Sequence, residues 1–176
     1  RIEDKNGVPL FEVIPQTTDV LSEEAAYVTL NLMEGVTKYG SGGRLRHSGL
    51  EETNYIYKNL ITGYPYAFEN SIAGKTGTTQ NQSDGWFMGM VPNLVTGVWV
   101  GGEDRSVHFE DIAFGQGATM ALPIWAQYMK NAYLNPVLGV SAEDFPVPEI
   151  VNIPLDCENL NIDSSKKKKD LEELGF

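Results

Sequence analysis

Between Gly85 and Gly101 apolar and small residues follow one another in two runs, Gly85 to Val91 and Leu94 to Gly101, parted only by Pro92-Asn93. A two-residue connection between strand-like runs predicts an antiparallel hairpin. Just upstream, Ser71 to Thr79 is rich in threonine and glycine and leads into the turn-forming stretch Gln80 to Asp84, which predicts a third strand in the same sheet. A different period holds earlier in the chain. Ser22 stands where a helix cap is expected, Glu23 and Glu24 follow where the helix dipole favours negative charge, and Ala25, Val28, Thr29, Leu32, Met33 and Val36 recur at helical spacing until Gly40 offers a stop. The spacing predicts a helix that buries this stripe. Leu122 to Leu134 reads as a second helix, with Pro123 in its first turn and Trp125, Met129 and Ala132 along one side; it is expected to lie on the sheet.

Elsewhere the pattern is weaker. Residues Arg1 to Ile14 alternate around Asn6-Gly7, which predicts two short strands, with Pro15 to Leu21 as a linker. Gly40 to Asn70, punctuated by Gly42, Gly43, Gly49, Gly63 and Pro65, predicts loop with short elements. After Pro136 the chain carries Pro146, Pro148 and Pro154 and ends beyond Ser164 and Ser165 in a lysine run, an extended wrap followed by a solvated tail. The expected fold class is α+β, an antiparallel β-sheet with flanking helices, with 1–135 as one unit and 136–176 as a C-terminal segment and tail. A chain of 176 residues and 19.4 kDa has room for one domain of this kind.

Composition narrows the function classes. The most apolar region, Met88 to Val100, is broken by Gly89, Pro92, Asn93, Thr96 and Gly97, so no stretch matches a membrane-spanning helix. Net charge is −11, and four of the 13 basic residues stand in one run, Lys166 to Lys169, leaving the rest of the chain more acidic still. No basic stripe exists to neutralise phosphates, which argues against nucleic acid as a partner. The single cysteine, Cys157, excludes an internal disulfide and reads as an incidental thiol; His47 and His108 lack partners at ligand spacing and read as surface residues, so neither metal nor cofactor is expected. The chain begins at Arg1 with no leader pattern, and is expected to come from a longer protein.

Candidate chemistry gathers at Ala73-Gly74-Lys75-Thr76-Gly77-Thr78-Thr79. A phosphate-binding loop of the form Gly-x-x-x-x-Gly-Lys-Ser/Thr is excluded, because position 69 is Glu69 and a turn, not a helix, follows the lysine. The remaining reading is a strand edge suited to a small anion. Lys75 supplies positive charge, Thr76 and Thr78 supply hydroxyls, and Gly77 removes the side chain that would hold a substrate backbone away. An extended peptide ending in a carboxylate would pair its main chain with this edge and set its carboxylate against the hydroxyls.

Taken with Asp84-Gly85-Trp86-Phe87-Met88-Gly89, Val98-Trp99-Val100-Gly101, Gly115-Gln116-Gly117-Ala118 and Pro123-Ile124-Trp125, this stretch resembles the C-terminal part of the transpeptidase domain of class A penicillin-binding proteins. The likeness covers roughly Arg1 to Leu134. It implies part of a serine β-lactamase-like transpeptidase fold and an enzyme that cross-links peptidoglycan stem peptides ending in D-Ala-D-Ala, is acylated by β-lactams, and needs no cofactor. The family carries three motifs, Ser-x-x-Lys with the nucleophile, a Ser-x-Asn triplet, and Lys-Thr-Gly. Only the third is found here in a fitting place; Ser164 with Lys167 and Ser165 with Lys168 match the first by chance, in the tail. The resemblance therefore implies a fragment that supplies one side of the active site. It assigns one oxyanion N–H to Thr78, carboxylate binding to the Thr76 and Thr78 hydroxyls, charge and proton-network support to Lys75, and close approach to Gly77. It also implies a whole protein anchored by an N-terminal membrane helix outside this chain and working on the extracytoplasmic or periplasmic face.

Rival readings are a β-lactamase or penicillin-sensing receptor, which share the strand motif, and a non-catalytic wall-binding module; the Gly-Gln-Gly-Ala stretch and the Pro-Ile-Trp helix favour the transpeptidase. Asp84 is expected to cap backbone N–H groups in its turn rather than act as a triad acid. Trp86, Phe87, Trp99 and Trp125 are expected in core and sheet-face packing, with Trp86 nearest the site. Arg44 and Arg46, in the glycine-rich loop, are expected in a solvated basic loop, the alternative being that they lie on the substrate side.

Overall fold

The computed structural model describes residues 1–13 and 18–155. The chain opens with a hairpin of β1 (Ile2–Glu3) and β2 (Pro9–Phe11), whose turn is tied by the Asp4 carboxylate accepting from the N–H groups of Asn6 and Val8. Next comes α1 (Glu23–Lys38), capped by the Ser22 hydroxyl, which accepts from Ala25 N at 3.2 Å, and closed by Gly40 N donating to Gly35 O. A 3-10 turn (Gly43–Leu45) and α2 (Tyr55–Asn59) punctuate the loop that leads into β3 (Ala73–Thr78), β4 (Asp84–Val91) and β5 (Leu94–Gly101). These three strands form one antiparallel sheet in the order β3-β4-β5, with Thr76 opposite Phe87 and Phe87 opposite Val98. Two short helical turns, α3 (Ile112–Gly115) and α4 (Gly117–Met120), precede α5 (Leu122–Leu134).

The expected fold class, three strands and two main helices stand; α3 and α4 lie outside what the periodicity predicted. Packing explains the sheet's two faces. On one face Phe87 is buried against Trp125 of α5, their rings meeting edge to face at 5.2 Å, and Leu45, Tyr57, Ile72, Leu122 and Met129 complete the core. Gly89 makes this possible: a Cβ there would overlap the Trp125 ring, coming within 2.7 Å of Nε1, so only glycine lets α5 lie this close. The indole N–H finds its partner in Thr96 Oγ1 at 2.7 Å. Trp86 and Trp99 face the other way, 45% and 47% exposed, so of the four aromatics expected in packing only Phe87 and Trp125 are core.

The stripe expected on α1 is displaced. Leu32 is 70% exposed, while Glu34 and Thr37 are buried. The reason is polar: the C-terminal half of α1 packs against β3 through hydrogen bonds, with the Thr37 hydroxyl donating to Ile72 O at 2.6 Å. Beyond α5 a turn at Pro136–Leu138 leads into irregular chain that is stitched back by Asn93 to Gly139 and Ser141, by Ser71 to Asp144, and by Glu24 to the N–H groups of Asn152 and Ile153. Cys157, Ser164, Ser165 and the lysine run lie outside the described residues, as do position 14, at the end of the expected strand segment, and positions 15–17 of the expected linker.

Candidate functional site

Strand β3 is an edge strand, paired with β4 on one side and with no strand among the described residues on the other. Its register decides what it offers there. Thr79 N donates to Asp84 O at 3.2 Å, back into the hairpin. Counting in twos along an antiparallel pair, Gly77 and Lys75 also turn their main-chain groups toward β4, while Thr78 and Thr76 turn theirs to the unpaired side. The carbonyl of Thr76 agrees, since it accepts from Lys75 Nζ at 2.8 Å instead of from β4. The free edge thus carries the N–H and C=O of two threonines beside an exposed ammonium group.

The two threonine hydroxyls are held from different parts of the chain. Ser41, in the glycine-rich turn after α1, shares a hydrogen bond of 2.6 Å with Thr76 Oγ1. Gly117 N, at the start of α4, donates to Thr78 Oγ1 at 3.0 Å. That second contact explains why the Gly-Gln-Gly stretch has the residues it has. A Cβ at Gly117 would collide with Gly77 O and sit 2.5 Å from Trp86 O, and one at Gly85 would lie 3.0 Å from Gly117 Cα, so two glycines let the start of α4 press directly on the β3-β4 ladder. The sequence reading brought these stretches together as family marks; their physical role is to seat Thr78.

Entry into β3 is fixed by Arg46. Its guanidinium donates to the carbonyls of Phe68 (3.2 Å) and Asn70 and, through Nη2, to the Thr37 hydroxyl at 3.1 Å, tying the strand's approach to α1. Burial pulls its pKa below the usual arginine value, with the Glu34 charge acting in the opposite direction. Arg44 is held as firmly. Its Nε donates to Glu52 Oε2 at 2.7 Å, and its guanidinium lies over the Tyr57 ring at 4.1 Å. The expected solvated basic loop is therefore corrected for both arginines: each is half-buried and bound to groups that no local periodicity links to it. His47 is half-buried, its Nδ1 3.8 Å from the same Glu52 carboxylate and without a hydrogen-bond partner among the described residues. Asp84 is corrected too. It is the Thr79 hydroxyl that accepts from Asp84 N at 3.1 Å, while the buried Asp84 Oδ1 has no hydrogen-bond partner.

The structure thus brings Lys75, Thr76, Gly77 and Thr78 together on β3, and adds Ser41 and Thr37, which sequence reasoning missed, while giving Arg46 and Gly117 a place at the strand that their sequence signals, a basic loop and the Gly-Gln-Gly stretch, did not specify. For Ser41 the glycine-rich turn Gly40-Ser41-Gly42-Gly43 was the available signal, as a close-packed corner directly after a helix.

No protein-family model matches the chain. It is 31% identical over 159 residues to penicillin-binding protein 1A of Aquifex aeolicus (strain VF5), covering 87% of this chain and 18% of the relative. It is 32% identical over 147 residues to penicillin-binding protein 1A of Pseudomonas aeruginosa, covering 83% of this chain and 15% of that protein. With penicillin-binding protein 1B of Escherichia coli (strain K12) the identity is 31% over 140 residues, covering 80% of this chain and 14% of the relative. The chain therefore spans less than a fifth of the length of these relatives.

Proposed function

We propose, from the premise that this chain is a relative of the class A penicillin-binding proteins, that it supplies the carboxylate-binding and oxyanion side of a serine D,D-transpeptidase. The observation that carries the reading is the free edge of β3, where two threonines turn main-chain groups outward beside Lys75. A stem peptide ending in D-Ala-D-Ala lies along this edge as an added strand. Its terminal carboxylate takes the hydroxyls of Thr76 and Thr78, whose positions Ser41 and Gly117 set, and the Lys75 ammonium adds charge. Thr78 N–H is one donor to the oxyanion that forms when a serine attacks the carbonyl between the two D-alanines. Gly77 keeps the approach clear. The serine, its activating lysine and the second donor come from the part of the protein outside this chain. The acyl group then passes to an amine of a neighbouring stem, and a β-lactam reacts as a mimic of the terminal dipeptide. We place the whole protein on the outer face of the cytoplasmic membrane, where such peptides are; its anchor lies outside the described helices, none of which is long and apolar enough to cross a membrane.

The test is acylation of the whole protein by a labelled penicillin. Lys75→Ala and Thr76→Val are expected to leave folding intact and to slow acylation by about 2 to 4 kcal/mol of transition-state stabilisation, the scale of other oxyanion-type contacts. Unchanged rates in both variants would count against the roles given to β3.

A further inference from the structure

Thr76 and Thr78 stand two positions apart on β3 and share a face of the sheet, yet their hydroxyls are backed by different kinds of group. The partner of Thr78 Oγ1 is the backbone N–H of Gly117, at 3.0 Å, which can only donate. Thr78 Oγ1 is thereby set as an acceptor, and its own proton is left for another group. The partner of Thr76 Oγ1 is the hydroxyl of Ser41, at 2.6 Å, and either oxygen can be the donor. Among the described residues this is the one hydrogen bond that either hydroxyl makes, since the Lys75 ammonium is engaged by the Thr76 carbonyl instead. One arrangement of the protons turns the Thr76 O–H toward Ser41. The other frees it.

The corner that carries Ser41 is tightly bonded. Gly40 N donates to Gly35 O at 3.1 Å, Gly42 N to Val36 O at 3.0 Å and Gly43 N to Gly40 O at 2.9 Å, so the residues on both sides of Ser41 are tied to the end of α1. That end of α1 is itself bonded to the entry of β3 through Thr37, whose hydroxyl donates to Ile72 O and accepts from Arg46. Helix end, corner and strand therefore hold the Ser41 oxygen in a set place beside Thr76.

We propose that Ser41 is a positioning residue of the carboxylate site: it donates to Thr76 Oγ1 and so commits the Thr76 proton to the ligand. The proposal rests on the transpeptidase reading and deepens it. A carboxylate has no proton to give. When it accepts from the Thr76 hydroxyl, the 2.6 Å contact survives only with Ser41 as donor. Ser41 O–H, Thr76 O–H and carboxylate then form a chain that runs the same way as Gly117 N–H, Thr78 O–H and carboxylate. Each donor polarises the next, and the gain is largest when the last acceptor carries a full charge. No proton changes owner; only the direction of the hydroxyls is set.

The test is acylation of the whole protein by benzylpenicillin and by its methyl ester, which keeps the reactive ring and loses the charge. The quantity read is the acid-to-ester ratio of the second-order acylation rates. Ser41→Ala is expected to lower that ratio about three- to tenfold, the scale of one ordinary hydrogen bond, and Ser41→Thr, which restores the hydroxyl, to bring it back within about twofold of the unaltered protein. In a Thr76→Val background, with no hydroxyl left to direct, adding Ser41→Ala is expected to move the ratio by less than about twofold. An unchanged ratio in Ser41→Ala, whether both rates fall together or neither moves, would overturn the role given to Ser41. So would a Ser41→Thr protein that behaves like Ser41→Ala, or a full further loss in the Thr76→Val background. A ratio near one in the unaltered protein, or an unaltered ratio in Thr76→Val, would overturn the placement of the carboxylate on Thr76, and failure of benzylpenicillin to acylate the unaltered protein would overturn the transpeptidase reading itself.

Discussion

The two faces of the three-stranded sheet present the same kinds of residue to opposite effect. Toward α5, Gly89 and Phe87 meet Trp125 in close fit, and the tryptophan is fully buried with its N–H bonded. On the other face Gly97, Met88, Trp86 and Trp99 repeat the pattern of glycine beside large side chains, but the two tryptophan rings, 6.5 Å apart and tilted, stay about half exposed. One face is a finished core, and the other leaves Trp86, Met88, Val95 and Trp99 exposed as an apolar surface. Similar composition therefore says little about energy; whether a ring is surrounded decides it.

The largest expected difference is between the tryptophans themselves. Trp125→Ala removes a ring packed on all sides and strands the Thr96 hydroxyl, so urea unfolding should show a loss of about 3 to 5 kcal/mol, whereas Trp99→Ala should cost less than about 1 kcal/mol. Equal losses would mean that the outer face is packed as tightly as the inner one. Next in size is Gly89→Ala. The indole it would strike is locked by Phe87, Phe68 and Thr96, so relief requires α5 to shift, and a loss of about 1 to 3 kcal/mol is expected.

A third experiment asks what the outer face does when left bare. The double substitution Trp86→Ser/Trp99→Ser should barely move the unfolding midpoint but should reduce self-association of the isolated chain in sedimentation velocity runs, because it removes the two exposed indole rings of the sheet's outer face. A chain that is monomeric before the change, or that associates as strongly after it, would show that this face is not what brings copies together.

The inner face was legible in the sequence because regular strands and a long helix write their period into it. Pro92-Asn93, the run Gly85 to Val91 and Pro123 fixed the hairpin and α5 to the residue or nearly so. Lys75, Thr76, Gly77 and Thr78 were legible as a cluster of chemistry on one strand. What surrounds them was not, because Arg46 reaches residues 22 and 24 positions away and Arg44 finds Glu52 across a loop with no period at all. The phase of α1 was misread for a related reason. A helix that docks through the Thr37 hydroxyl, with Glu34 buried near it, hides polar residues and exposes Leu32, the reverse of what an apolar stripe predicts. Helices as short as α3 and α4 show no period; they are set by the Asp111 cap and by the contact that Gly117 makes with β3 and β4.

The smallest expected effect is the most informative about the two faces. Gly97→Ala resembles Gly89→Ala on paper, since a Cβ at either position would run into a neighbouring side chain, at Gly97 the Met88 sulfur. The obstacle differs in kind. Met88 is a flexible thioether chain, 38% exposed, and can swing into solvent, while the indole under Gly89 has nowhere to go. Alanine also lowers the conformational freedom that glycine gives the unfolded chain, worth about 0.4 to 1 kcal/mol where the backbone is compatible, and Gly97 lies inside a regular strand. The two contributions nearly cancel, so Gly97→Ala should change stability by no more than about 0.5 kcal/mol in either direction. A loss comparable to that of Gly89→Ala in the same urea titration would show that Met88 is held in place, and that the outer face is more tightly packed than its exposure implies.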